Sequence, residues 1–240
     1  MHRPSTDVSK EPVSAIGTGQ GIAVFSGIDS AARRSLAEFL TYLPSLVEGD
    51  HLVRVNDPFR DLYAVQSGSF KAYTDDVGGR EHVLGFFLPG DVIGLDAIHT
   101  GNYRANFTAL EPSVIAAVSY TALGRLFERS PDLLATVLQM MSKNIARNEA
   151  LSGDYTATEL MAAFLCMMSR RFAGMGLSAT EFRLSMSRRD IANYLRLAPE
   201  TVSRIISRFS REGLLRTNGR DMVLLDPGLM TWLARSLREM

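Results

Sequence analysis

The sequence holds one cysteine, Cys166, which excludes an intrachain disulfide and any metal site built from several thiolates. It has no uninterrupted apolar run near the roughly 18–20 residues that cross a bilayer. Its first residues, MHRPSTDVSKEPVSAIGTGQG, lack the apolar core of a signal peptide. A cytoplasmic protein with no membrane partner is therefore expected. Signatures of catalysis are missing as well: there is no glycine-rich phosphate loop, no His-Glu-x-x-His and no Gly-x-Ser-x-Gly, and the acids are scattered through turns. The expectation is that the chain is not an enzyme. Lysine is absent from residues 158–240, which carry 13 arginines against 8 acidic residues, net +5. Residues 1–157 carry 13 basic and 18 acidic residues, net −5, so the neutral total hides a basic module joined to an acidic one. That asymmetry points to one half meeting phosphate.

What is present supports two modest domains: 240 residues, 46% of them apolar. The most informative stretch is Ser187 to Gly213, SRRDIANYLRLAPETVSRIISRFSREG. Ser187 and Asp190 have the spacing of a capping box, and Ile191, Tyr194 and Leu195 form the apolar stripe of a short helix. Arg196-Leu197-Ala198 turns the chain, and Pro199 suits the first position of a second helix. In that helix Val202, Ile205, Ile206 and Phe209 face inward, while Glu200, Ser203 and Arg204 share the outward face. Gly213 ends it. Asn218-Gly219 between two apolar runs then predicts a β-hairpin, the wing of a winged helix. Two helices across a tight turn, with polar residues exposed at the start of the second, have the geometry that enters a DNA major groove.

Upstream, residues 1 to about 20 read as a flexible tail, and Ser30 to Leu43 as a short helix with Leu36, Phe39 and Leu40 inward. From Leu46 to Ser119 short alternating segments are punctuated by glycine turns, which predicts a small antiparallel β-roll or barrel with the glycines supplying positive φ at its corners. Helices follow at Ala122–Glu128 and from Ser130-Pro131-Asp132 onward, the second with Leu134, Val137, Leu138, Met141, Ile145 and Leu151 as a stripe. That stripe can lie on the β-roll or form a dimer seam, and the seam is favoured, because one winged helix covers only a half-site. Gly153-Asp154 reads as a hinge and Thr156-x-x-Glu159 as the capping box of the next helix, in which Cys166 is a buried structural thiol. A last helix opens at Asp226-Pro227 with Leu229, Trp232, Leu233 and Leu237 on one side.

The run FRLSMSRRDIANYLRLAPETVSRIISRFSREGLL resembles the DNA-binding domain of CRP/FNR transcription regulators, and Glu200-x-x-Ser203-Arg204 is similar to the FNR branch. LYAVQSGSFKAYT (62–74) and GFFLPGDVIGLDAI (85–98) extend the likeness. The resemblance implies an α+β chain: a flexible tail (1–20), a cyclic-nucleotide-binding-like β-roll or double-stranded β-helix (21–129), a dimerisation helix (130–155) and a winged helix-turn-helix (156–240). It implies a homodimer that binds double-stranded DNA at an inverted repeat of TTGAT-like half-sites and contacts RNA polymerase, through turns such as Thr74 to Glu81 and the stretch Phe86 to Asp91. Arg204 suits guanine O6 and N7, Glu200 a cytosine amino group while also holding Arg204 in plane, and Ser203 a thymine or a close approach. Arg188, Thr201 and Arg208 suit phosphates.

The sensing half departs from the family's known patterns. FNR-type regulators hold a [4Fe–4S] cluster on N-terminal cysteines, and this chain has no cysteine before Cys166, so no such cluster is expected. Gly94-Leu95 stands where cyclic-AMP receptors carry Gly-Glu, and Arg104-Ala105 where they carry Arg-Ser. Loss of the carboxylate argues against a cyclic nucleotide and leaves Arg104 as the candidate ligand-binding residue. His51, His82 and His99 are the candidates for haem in a gas sensor, although isolated histidines at turns and strand ends are commonly solvated. A regulator with no effector, one switched by a ligand in the β-roll, and one switched by redox chemistry at Cys166 all stay open.

Overall fold

The computed structural model describes residues 36–149 and 155–234. The expected tail, the Gly153-Asp154 hinge, Leu151 and Leu237 lie outside the described residues. Of the helix expected over Ser30 to Leu43, the described end stops at Leu36-Ala37. Leu40–Tyr42 instead forms a strand, β1, whose residues Leu40 to Tyr42 pair with Val118 to Ala116. The available strand partner overrides a helical spacing here. Leu36, Phe39 and Leu40 still pack against one core, as their apolar spacing demands.

Strands β2 (His51–Val53), β3 (Asp61–Ser67), β4 (Phe70–Asp75), β5 (Glu81–Phe87), β6 (Val92–Ile93), β7 (Asn106–Ala109) and β8 (Val114–Ser119) complete the N-terminal part. They make two four-stranded antiparallel sheets, in the orders β1-β8-β3-β6 and β2-β7-β4-β5. Period-2 alternation sends Val65, Ile93 and Ile115 from the first sheet and Phe70, Ala72, Phe107 and Ala109 from the second into the space between them. One glycine shows why the turns need it. Gly68 between β3 and β4 has φ +75, and a Cβ there would lie 2.1 Å from Ser113 Oγ and 2.5 Å from the Pro112 carbonyl oxygen.

Each sheet also has a buried outer face. The first is covered by α1 (Tyr120–Arg129) and α2 (Pro131–Glu149), with Leu62, Ala64, Ala116 and Val118 against Leu123, Leu126, Leu133 and Val137. The stripe expected along α2 divides accordingly: Val137 and Met141 pack on the β-roll beside Leu133, which the stripe did not include, while Leu134, Leu138 and Ile145 are 40%, 55% and 60% exposed. The second sheet's outer face is covered by the C-terminal part of the chain. A register shift between Ala72 and Tyr73 bulges β5 at Leu84, so Val83 and Phe86 point the same way. With Tyr73, Leu88 and Leu110 they join one continuous core with Phe164, Leu165, Ile191 and Leu195.

That C-terminal part comprises α3 (Ala157–Gly174), β9 (Glu181–Arg183), α4 (Arg188–Tyr194), α5 (Pro199–Arg211), β10 (Leu215–Asn218), β11 (Asp221–Leu224) and α6 (Pro227–Leu233). Thr156 and Glu159 form the capping box expected for α3. Cys166 on α3 is buried, its Sγ 3.9 Å from the Thr231 hydroxyl. The hairpin is present, but Asn218 pairs with Asp221 and the two-residue turn is Gly219-Arg220, with Gly219 at φ +61. Glycine at the first turn position is the pattern of a type II′ turn. β9 adds a third strand to the wing, in the order β10-β11-β9. Asp226 caps α6 through the Leu229 amide at 2.8 Å. The face α6 buries is Met230 with Leu233 and Ala234, not Leu229 and Trp232, which are 42% and 53% exposed.

Candidate nucleic-acid interface

Helix α4 begins at Ser187 because a reciprocal pair satisfies two otherwise orphan amides. The Asp190 amide donates to Ser187 Oγ at 3.1 Å, and the Ser187 amide donates to the Asp190 carboxylate at 3.0 Å. The turn to α5 is made at Arg196, whose φ of 56 is left-handed, and the Leu197 amide closes it on the Ala192 carbonyl at 2.8 Å. Pro199 takes the first position of α5, and Val202, Ile205, Ile206 and Phe209 are all buried against the rest of the domain. This leaves one face of α5 for solvent. Glu200, Ser203, Arg204 and Ser207 are exposed, and Thr201 and Arg208 are half-buried.

Along that face runs an open groove of about 560 Å³, lined by Thr158, Thr201, Ser203, Arg204, Ser207 and Arg211 among others. Four predicted residues, Thr201, Ser203, Arg204 and Arg208, are thus brought together with Thr158, Ser207 and Arg211, which the sequence did not single out. Thr158 belongs to the first turn of α3, and Arg208 Nη2 donates to its hydroxyl at 2.6 Å. Arg204 is not held by Glu200 as expected. Its Nη2 donates to the Thr201 hydroxyl at 3.3 Å, one turn closer to the helix start, and the Ser203 hydroxyl donates to the Pro199 carbonyl at 3.0 Å.

Arg188 sits differently from the other arginines. Its Nη2 donates to the Gly219 carbonyl at 2.9 Å and the Thr217 hydroxyl at 3.2 Å, and lies 3.7 Å from Met222 Sδ. Burial holds its pKa below the ordinary arginine value. In the free protein this guanidinium ties α4 to the wing rather than standing open to an anion.

A second concavity, about 700 Å³, lies where β4 and β5 meet α2, α3 and the turn after α4. Its walls include Val83, Gly85, Phe87, Leu95, Phe107, Met141 and Ile145, with Asp96, Arg104, Arg171 and Arg196 among its polar members. None of His51, His82 and His99 lines it. His51 Nε2 is instead 3.1 Å from the Tyr73 hydroxyl, with its pKa lowered chiefly by burial, and His82 is 3.5 Å from Asp76. His99 is exposed.

Two family descriptions match this chain, the cyclic nucleotide-binding domain over residues 44–130 and the Crp-like helix-turn-helix domain over residues 161–231. Among its relatives, electron transport regulator A of Shewanella oneidensis is 36% identical over 80% of this chain and 78% of the relative. The fumarate and nitrate reduction regulatory protein of Escherichia coli is 36% identical over 80% of this chain and 78% of its own. The chain belongs to the CRP/FNR family of transcription regulators. Its relatives are regulators, not enzymes. Among solved structures it resembles FixK2 from Bradyrhizobium japonicum, with a TM-score of 0.72 and 29% identity over 81% of this chain and 96% of that one.

Leu95, the position where the resemblance implies a glutamate in cyclic-AMP receptors, is 7% exposed, packs in an apolar core and also lines the larger concavity. Gly94 before it has φ +100, and a Cβ there would stand 3.2 Å from the Tyr103 ring and 3.4 Å from the Asp61 carbonyl. Tyr103 is itself fixed by donating to that carbonyl at 2.6 Å. Arg104 is exposed at the cavity wall. No helix among the described residues is long and apolar enough to cross a membrane.

Proposed function

We propose that this CRP/FNR regulator acts as a homodimer that reads an inverted repeat of TTGAT-like half-sites through α5. The observation that carries the reading is the division of α5 into a fully buried apolar face and an exposed face bearing Glu200, Ser203 and Arg204. Arg204 reads guanine, Glu200 accepts from a cytosine amino group, and Ser203 permits close approach. Thr201 and Arg208, flanking the groove, meet phosphates. Arg188 contributes by holding the wing against α4. Self-association is supported by the apolar residues Leu134, Leu138 and Ile145, which α2 leaves uncovered.

RNA polymerase contact falls to the turn Thr74 to Glu81, where Val77 is fully exposed. Within Phe86 to Asp91, Phe86 and Leu88 are buried and Asp91 pairs with Arg171, which leaves the half-buried Phe87, Pro89 and Gly90 as the surface a polymerase would meet there. A second reading adds control by a small molecule in the β-roll. It is favoured by the 700 Å³ cavity, which has the size and mostly apolar walls of small-molecule sites. Leu95 opposes a cyclic nucleotide as that molecule, because it puts an apolar side chain where a carboxylate would meet a ribose hydroxyl; the carboxylate on the cavity wall belongs to the next residue, Asp96. The test is titration of the purified full-length protein with the inverted repeat and a scrambled duplex, with and without cyclic nucleotide, while the 350–600 nm absorbance is recorded for haem. Selective binding by a colourless, nucleotide-free sample supports the effector-independent form. Selectivity that appears only with nucleotide, or with a Soret band, supports the second reading.

A further inference from the structure

β5 is the last strand of its sheet, so its outer backbone groups have no strand beside them. A single side chain takes that place. The Val83 amide donates to Asn193 Oδ1 at 2.8 Å, and Asn193 Nδ2 donates to the Glu81 carbonyl at 2.6 Å. A primary amide offers one acceptor and a donor in the arrangement of a peptide, so Asn193 near the end of α4 acts as a one-residue strand partner. At the start of α4, Lys71 Nζ of β4 lies 2.6 Å from Glu81 and 3.1 Å from Asp190, the capping-box residue. Beneath these bonds the ring of Phe86 packs at 5.2 Å from Tyr194 and 6.2 Å from Phe164. Both ends of α4 are therefore fastened to the β4–β5 hairpin, while the DNA-reading residues of α5 stay exposed.

We propose that Asn193 and Lys71 are positioning residues which hold the helix-turn-helix at one orientation on the β-roll, and so set the spacing between half-sites that the protein accepts. This rests on the reading of a homodimer on an inverted repeat. The β-rolls and α2 helices form the frame that separates the two α5 helices, and the clasp sets how each α5 leaves it. One added base pair moves a half-site by about 3.4 Å and rotates it by roughly 35° around the duplex. A domain clasped at both ends of α4 cannot follow that rotation, whereas one without those directed bonds keeps only apolar contacts such as Phe86 with Tyr194 and Phe164, which are non-directional.

The test uses the full-length protein and duplexes carrying the inverted TTGAT repeat with spacers lengthened and shortened one base pair at a time. The wild type favours one spacer by about tenfold or more over its neighbours, the size of a single lost base contact. In Asn193→Ala and in Lys71→Met that ratio collapses to within about threefold, while the penalty for a mutated half-site stays at its wild-type size. Arg204→Ala behaves in the opposite way, losing affinity for every spacer and keeping the ratio. Retention of the wild-type ratio by both clasp variants overturns the proposal. So does tighter binding of every duplex by those variants, because the contact then restrains DNA binding rather than aligning it. A wild type that binds repeat and scrambled duplex alike instead removes the α5 reading itself, and is recognised before any variant is made.

Discussion

Replacing Arg188 by alanine separates two roles that one arginine at the mouth of a DNA-binding helix can play. The structure has its Nη2 donating to Gly219 and Thr217 of the wing, at 2.9 and 3.2 Å. Hydrogen bonds from a charged donor are worth roughly 1.5–3 kcal/mol when buried. Because Arg188 is only half-buried, each bond counts below that range, at about 1 kcal/mol, and losing both should cost about 2 kcal/mol. The continuous core between the β-roll and the winged helix makes the relevant unit large, so this becomes a fall in Tm of about 4–8 °C. Thermal unfolding followed by circular dichroism reads it. The same variant is titrated with DNA at several salt concentrations. An arginine that neutralises a phosphate takes about 0.9 off the slope of log K against log salt for each chain on the duplex, about 1.8 for a dimer, whereas a wing strut leaves the slope nearly intact and weakens binding through a looser wing. A variant with wild-type Tm and a slope lower by about 1.8 would refute the strut and restore Arg188 as a phosphate contact.

Three further outcomes follow from the geometry. Phe164→Ala, at 1% exposure beneath Phe86 and Tyr194, should lower stability by about 3–5 kcal/mol in urea unfolding, and a loss under about 1 kcal/mol would mean the shared core is not packed as described. Arg204→Ala should cost about 1–3 kcal/mol of discrimination at one base pair of the half-site, measured by competition among single-base variants. Burial pushes the Asp190 carboxyl up, but hydrogen bonds from Ser187 and the nearby Lys71 ammonium outweigh it and hold its pKa below the usual aspartate value. The stability it contributes is therefore full above about pH 4, the unfolded value, and is lost as pH falls through the lower folded value. Urea midpoints of wild type and Asp190→Asn should differ by a constant amount near neutrality and converge in acid; a gap that persists unchanged to pH 3 would contradict the assignment.

The sequence was most legible where local chemistry decides structure. Ser187 with Asp190, Thr156 with Glu159 and Pro199 each mark a helix start through groups within four residues of one another, and each stands where expected. The inward face of α5 follows from its 3.6-residue period. Legibility ended where distant partners decide. Leu40–Tyr42 has helical spacing but a strand partner in β8, more than seventy residues away. The α6 face turned on Met230 rather than Trp232 because the neighbouring α3 selects it. Arg188 and Arg208 read as solvent-facing cations, yet their partners, Gly219 and Thr158, are supplied by other elements. The clasp was invisible for the same reason. An asparagine in a short helix and a lysine in a strand carry no mark of each other until the fold sets β5's open edge beside α4.

Fluorescence anisotropy of full-length protein with an inverted TTGAT repeat tests most directly whether the exposed face of α5 reads a specific duplex. Tight saturable binding of two chains per duplex is expected, with at least about a hundredfold weaker binding to a scrambled duplex and a reduced but surviving preference in Arg204→Ala. Equal affinity for both duplexes, unchanged by Arg204→Ala, would contradict that reading.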